Sequence, residues 1–229
     1  SLMRYSGNVL VNVVIMLLII IGGIGFLTWD DICMNKTKFK CYRMQSKIIL
    51  VTTVCLILFP TVFFFICDMK NLSAGEGLLA AIFQSVTTRT AGFNTINLSE
   101  MNETSKAVMI FLMLIGGSPG STAGGMKTTT FAVLLLNAIA TFRNQENAEA
   151  FGRRLEYHVI KNAATITLLY FALFFLGGIV ISIYEDLPLL DCLFEAASAV
   201  GTVGLTLGIT PELHVLSQIV LIILMYLGR

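Results

Sequence analysis

The sequence predicts an all-α membrane protein made of helix–loop–helix repeats, with re-entrant half-helices and one broken helix. Three observations predict it. Hydrophobic residues make up 56% of the chain and charged residues 13%, against about 25% charged in a soluble domain; the apolar excess has to face lipid. The apolar residues fall in runs, Val9–Phe26, Ile48–Ile66, Ala107–Ile115, Thr165–Ile183 and Val215–Leu227. Two short amphipathic segments, each followed by a Gly/Thr loop, recur between those runs.

Taken in order, the apolar pattern predicts a helix over about 9–29, a basic loop at 31–46 and a second helix at 47–67. Some runs fall short of the about 20 residues a full span needs, so tilted, broken or truncated helices are expected. Gly77–Thr87 is too short to span and reads as a half-helix (76–87), returning through a loop at 88–95. A broken helix covers 103–142, with a basic loop at 143–156. Then come a helix at 157–184, a half-helix at 188–199 (Leu189–Ala199), a loop at 200–207 and a last helix from about 212.

Charge supplies the orientation. Net charge is +1, which gives no reason to expect nucleic acid. Lys36, Lys38, Lys40, Arg43 and Lys47 cluster in one loop, and Arg143, Arg153, Arg154 and Lys161 in another. The connections between them are mixed (Asp68, Lys70, Glu76, Arg89, Glu100, Glu103) or purely acidic (Glu185, Asp186, Asp191, Glu195, Glu212). Basic loops stay cytoplasmic, so both Gly/Thr loops face outward.

The repeat is direct. Ile82–Asn94 aligns with Leu193–Thr206, bringing Phe83 onto Phe194, Gln84 onto Glu195 and, after one inserted residue, Gly92 onto Gly204. Further on, Met113–Gly117 falls on Met225–Arg229, and Ile19–Gly23 is a third copy of that ending. Non-helical backbone at membrane depth is tolerated only where protein or water surrounds it. The loop after each half-helix should therefore line a pore or cavity; the plainer alternative, an outer turn between ordinary spans, leaves the repeated Thr-x-Gly unexplained.

Potassium-selective loops replace an ion's water shell with main-chain carbonyls. The candidate carbonyl-bearing residues are Thr88, Arg89, Thr90, Ala91 and Gly92 in the first loop and Val200, Gly201, Thr202, Val203 and Gly204 in the second. Arg89 is the awkward member, since a cation facing an ion path repels cations. Its side chain is expected to point away, paired with an acid or with carbonyls. Each loop has one glycine fitting the signature where the well-known channel motif has two, which predicts fewer ion sites.

Four segments, "GGIGFLTWDDI" (Gly22–Ile32), "TTRTAGFNT" (Thr87–Thr95), "GGSPGSTAGGMKTTT" (Gly116–Thr130) and "VGTVGLTLGIT" (Val200–Thr210), together resemble the potassium-translocating membrane subunit of the Ktr/Trk/HKT superfamily, most of all its Ktr type. The resemblance implies four helix–pore loop–helix repeats in one polypeptide. Residues 1–45 would then be the second helix of repeat 2 with a cytoplasmic loop, 46–156 repeat 3, and 157–229 most of repeat 4, making the chain a fragment of a longer protein. It also implies K+ as the transported ion with Na+ as a possible activator, a bacterial cell-membrane location, homodimerisation, and a nucleotide-binding ring subunit on the cytoplasmic face.

"GGSPGSTAGG" (Gly116–Gly125) carries five glycines and Pro119. Each glycine costs about 1 kcal/mol and a proline about 3 in a helix interior, so the helix breaks there, near the bilayer middle and below the pore loop. Gly116, Gly117, Ser118, Gly120, Ser121, Thr122, Gly124 and Gly125 form a candidate gate within 116–127, and the resemblance implies the same role. Lys127 is either a second anchor of this loop or the start of the lower half-helix. Arg229 stands where the other copies have Gly23 and Gly117. A charge at membrane depth is costly and marks a pathway or partner. It either stands beside the path, paired with loop carbonyls as an electrostatic barrier, or snorkels from a helix end.

Other classes fit less well. "GSTAGGMKT" is not a phosphate-binding P-loop, because Met126 separates Gly125 from Lys127 and no strand precedes it. A secondary carrier with broken helices and inverted repeats would not place both loops outside; a sodium-permeable or mixed-cation transporter stays open, although glycine at both 92 and 204 leans toward potassium. His158 and His214 read as solvated or capping, the five cysteines as small hydrophobes, and Trp29 as an interface anchor beside Asp30 and Asp31, which could meet a cytoplasmic partner.

Overall fold

The computed structural model describes residues 2–36, 38–69, 72–145 and 147–229; Lys70, counted above among the outward-facing charges, lies outside them. Among the described residues two helices are long and apolar enough to cross a membrane by themselves, α3 (Met44–Cys67) and α7 (Tyr157–Glu185). Their outer faces are exposed and greasy, with Phe59 at 76% and Leu168 at 71% accessible, as lipid requires. Pro60 sits inside α3 without ending it, because Thr61 turns its hydroxyl back to the Ile57 carbonyl (2.7 Å), local repair of a kind that lets transmembrane helices keep prolines.

The expected single helix over 9–29 is instead two. α1 (Val9–Ile24) stops at Gly25, and α2 (Phe26–Asn35) leaves at 96°. The correction extends to the basic loop, which starts after Asn35 rather than at 31. Asp31 is also not free to meet a partner. It is buried, it accepts a hydrogen bond from the Ser46 hydroxyl and another from the Arg43 amide (3.1 Å), and it pairs with the Arg43 guanidinium (3.4 Å). It thereby caps α3 from another element, supplying an acceptor to the orphan donors of a helix start. The Trp29 indole donates back across the bend to the Ile21 carbonyl (3.0 Å).

The two half-helices form as the pattern requires. α4 (Ala74–Thr87) opens on a Ser73–Glu76 capping pair, the side-chain exchange favoured at helix starts. α8 (Leu189–Val200) carries Asp191 in its first turn. Both are enclosed: Phe83, Val86, Phe194, Ala197 and Val200 are at most 1% accessible. α3 packs on α4, and α7 on α8; α5 (Glu103–Leu114) and α9 (Val215–Leu227) pack on α8. The Lys106–Asp191 pair (3.3 Å) ties α5 to α8. His214 is the N-cap of α9 and is held by Glu185 through its amide (2.9 Å) and ring (2.8 Å).

The helix expected over 103–142 is broken as predicted, between α5 and α6 (Thr128–Phe142). The loop at 143–156 holds something the pattern did not show, a two-stranded hairpin of β1 (Glu149–Ala150) and β2 (Arg153–Arg154). Of the cysteines, only Cys192 is packed in the interior, and all five are free.

Candidate functional site: two re-entrant loops over a glycine-rich plug

Each half-helix delivers its loop in the same backbone form. Thr90 and Gly92 have φ of 60° and 75°; Thr202 and Gly204 have 51° and 87°. Ala91 and Val203 between them stay out of the left-handed region. In both loops a left-handed threonine and a left-handed glycine therefore flank one residue that is not left-handed. A threonine held in the left-handed region costs about 1–2 kcal/mol, so the matching strain at positions 90 and 202 is an imposed geometry and not a loop's free choice.

The two loops meet. A Cβ added at Gly92 would overlap the Val203 carbonyl oxygen and lie 3.3 Å from the Gly204 Cα. Glycine at 92 is therefore required twice, by its φ and by this approach.

The supports behind the loops were not legible beforehand. Thr87 donates its hydroxyl to the Phe93 carbonyl, and the Ser198 hydroxyl accepts from the Gly204 amide (3.2 Å). Glu195, buried in α8, accepts from the Thr206 hydroxyl (2.7 Å), the Leu207 amide (2.9 Å) and the Thr210 hydroxyl (2.7 Å). The repeat alignment held a signal for both, since it places Thr87 on Ser198 and Gln84 on Glu195, polar residues at matching depth in apolar helices. Arg89 is buried, lines a cavity beside Thr90 and Ala91, and lacks the expected pairing. It is 5% accessible, and its three guanidinium nitrogens have no hydrogen-bond partner among the described residues.

Beneath the loops lies the segment 115–127. It closes on itself through the Gly116 amide to the Met126 carbonyl (2.7 Å) and the Thr128 amide to the Gly117 carbonyl (3.0 Å). It is also strung between the ends of two other helices. The Ser118 amide donates to Gly23 O (3.0 Å) at the end of α1, the Gly125 amide to Gly228 O (3.1 Å) at the end of α9, and Gly120 O accepts the Phe26 amide (3.2 Å) that opens α2. The ends of α1 and α9 are two of the three copies of the ending found in the sequence, and Gly116–Gly117 in the segment itself is the third. Gly124 sits directly against the second loop; a Cβ there would overlap the Thr202 hydroxyl. The Ser118 and Thr128 hydroxyls stand 3.1 Å apart, and Ser121 bonds to the Ser118 carbonyl (2.6 Å); Thr122 reaches toward Gly22 O (3.5 Å).

Lys127 anchors this segment, its ammonium donating to Ala123 O (2.7 Å), and it is also the residue from which α6 starts. The bond expected of Arg229 is not made. Arg229 is exposed, without a hydrogen bond or ion pair among the described residues. Two cavities flank the loops. One of about 380 Å³ runs from Thr90 and Ala91 past Gly22 to Thr122 and Ala123. The other, about 500 Å³, joins Ser198, Thr202, Gly204 and Glu195 to Arg229.

Half-helices that dip and return, strained carbonyl-bearing loops at their ends and a broken helix below define a membrane protein of the re-entrant-loop class. Residues 1–229 match the family TrkH, cation transport protein, and the chain belongs to that family. It is 38% identical to the Ktr system potassium uptake protein B of Bacillus subtilis, over all of this chain and 53% of that protein. It is likewise 38% identical to the potassium/sodium uptake protein NtpJ of Enterococcus hirae, over all of this chain and 52% of that protein. The crystal structure of the potassium transporter TrkH from Vibrio parahaemolyticus shares the fold, with a TM-score of 0.77 at 19% identity over 95% of this chain and 49% of that one. The chain spans about half the length of these relatives. They are cation transporters, not enzymes.

Proposed function

We propose that this chain supplies two quadrants of a potassium uptake pore, with residues 46–156 and 157–229 as consecutive repeats of a four-repeat protein. The observation that carries the reading is the paired backbone strain of Thr90–Gly92 and Thr202–Gly204 in two loops that touch. In this reading, the carbonyls of Thr88–Gly92 and Val200–Gly204 take over the hydration shell of K+. The hydroxyls of Thr87 and Ser198 and the carboxylate of Glu195 fix the spacing from behind.

The segment Gly116–Lys127 is the gate. It lies under Thr202, and a few main-chain hydrogen bonds to helix ends hold it, each contributing about 1 kcal/mol net, a barrier that regulation can overcome. Arg229 lines the second cavity and adds like charge beside the path. Potassium is the substrate favoured by glycine at 92 and 204 and by the names of the relatives; a relative named for potassium and sodium keeps Na+ as a second permeant or activating ion. Homodimerisation and a cytoplasmic nucleotide-binding ring subunit follow from the family resemblance.

The test is rescue of potassium uptake in a transport-deficient cell by the full-length protein. Wild type should restore growth at low K+, Gly204→Ser should admit Na+, and Arg229→Ala should raise flux. Unaltered ion preference in a well-inserted Gly204→Ser protein would overturn the assignment of the loops.

A further inference from the structure

The two cytoplasmic basic loops, separate in sequence, are one surface in the structure. Phe39, from the stretch before α3, meets Phe151 at the hairpin tip edge-on, with ring centroids 6.3 Å apart. The Lys47 ammonium lies 5.9 Å from both rings and donates to the Lys40 carbonyl (2.8 Å). This cation–π contact binds segments more than a hundred positions apart. Lys38, Lys40, Arg153 and Arg154 are exposed around it. So are the aromatic rings of Phe142 (90%) and Tyr157 (79%), which end α6 and begin α7.

Exposed aromatic rings at helix ends sit at the headgroup level of a bilayer, and exposed basic clusters next to membrane helices attract anionic lipid. A solvated loop needs neither the rings nor the joining of the two segments. Among the described residues, Lys38, Lys40 and Arg153 make no side-chain hydrogen bond or ion pair, so their charge is available. Glu149 stands across the hairpin from Arg154, and Glu156 lies two positions beyond it.

We propose that this platform is a binding surface for the phosphate headgroup of an anionic phospholipid of the inner leaflet. Lys38, Lys40 and Arg153 hold the phosphate, Phe142 and Tyr157 rest at the boundary between headgroups and acyl chains, and Lys47 with its two rings fixes the platform's shape. The proposal uses the inward orientation of the basic loops and is independent of the ion that the protein carries.

Each cation near the surface contributes about a fivefold gain in affinity, so Lys38→Gln, Lys40→Gln and Arg153→Gln together should weaken binding roughly a hundredfold. The measurement is the thermal midpoint of the full-length protein, purified alone in neutral detergent, as dioleoylphosphatidylglycerol, dioleoylphosphatidylcholine or inorganic phosphate is added. Phosphatidylglycerol should raise the wild-type midpoint; phosphatidylcholine and free phosphate should not. The triple variant should match wild type without lipid and need far more phosphatidylglycerol for the same shift. An equal response of variant and wild type, or an equal effect of the two lipids, overturns the proposal. So does a basic patch that responds only when a soluble cytoplasmic protein is added.

Discussion

The two re-entrant loops reach one backbone form by different means. The second is held from within its own unit: Glu195 gathers three donors on the returning limb, and Gly201 occupies the turn that Arg89 takes in the first. The first loop has Gln84 in place of Glu195, donating only to the Met109 sulfur (3.1 Å) and leaving its carbonyl oxygen unpartnered. Its other large polar group, Arg89, finds no partner among the described residues. The Thr-x-Gly pattern therefore sets the loop's shape, while the support behind it is free to vary. The second loop has the larger set of supports from its own unit; the first keeps the Thr87–Phe93 bond.

The largest expected effect separates the loops at their glycines. Both pay the left-handed penalty of about 1–2 kcal/mol when given a Cβ. At Gly92 the Cβ also overlaps the Val203 carbonyl, whereas at Gly204 the nearest atom is the Gly92 Cα at 4.0 Å. Gly92→Ala should abolish potassium uptake by the full-length protein and Gly204→Ala should reduce it about tenfold. Equal losses in a cell-based flux assay would erase the distinction.

Arg89 comes next. A buried charge is retained only where it is compensated, so in the full-length protein acceptors from outside the described residues should meet it. Removing one partner of a buried pair costs about 3–5 kcal/mol. Arg89→Met should therefore lower the thermal midpoint of the full-length protein markedly, and an unchanged or higher midpoint would show that Arg89 stays unpaired there too.

Third, Glu195→Ala removes three hydrogen bonds at about 1 kcal/mol each and should destabilise by about 3 kcal/mol, against about 1 for Gln84→Ala; thermal denaturation of both variants in one detergent reads the difference. The smallest effect belongs to the hydroxyls. Thr87→Val and Ser198→Ala each delete one hydrogen bond to a loop backbone, about 1 kcal/mol. Each should shift ion preference slightly, measured as the ratio of K+ to Rb+ flux, without loss of expression.

Much of this was legible because lipid and periodicity constrain the chain severely. Composition and run lengths were enough to place the helices at 47–67 and 157–184 to within a few residues, the two half-helices and the break at Gly116–Gly125. The internal repeat predicted that Thr90–Gly92 and Thr202–Gly204 would be equivalent, and they share their φ values. The bend at Gly25 escaped because one glycine in an apolar run usually costs only about 1 kcal/mol. At Gly25 the chain takes φ 90° and ψ 145°, and the Pro119 carbonyl, from a segment nearly a hundred positions later, lies 2.6 Å from where a Cβ would stand.

What the sequence determined by itself is therefore the set of local commitments: which stretches are helical, which faces are apolar, and where no helix can continue. Each depends on neighbours within a few turns and on the solvent around them. The tertiary structure alone decided who meets whom: Glu195 with the returning limb, the glycine-rich segment with three helix ends, Asp31 with the start of α3, Phe39 with Phe151. Those are long-range hydrogen bonds and contacts between groups whose polarity was visible but whose partners were not. A donor's need for an acceptor is written in the chain, while the choice of acceptor waits for packing to bring one within reach.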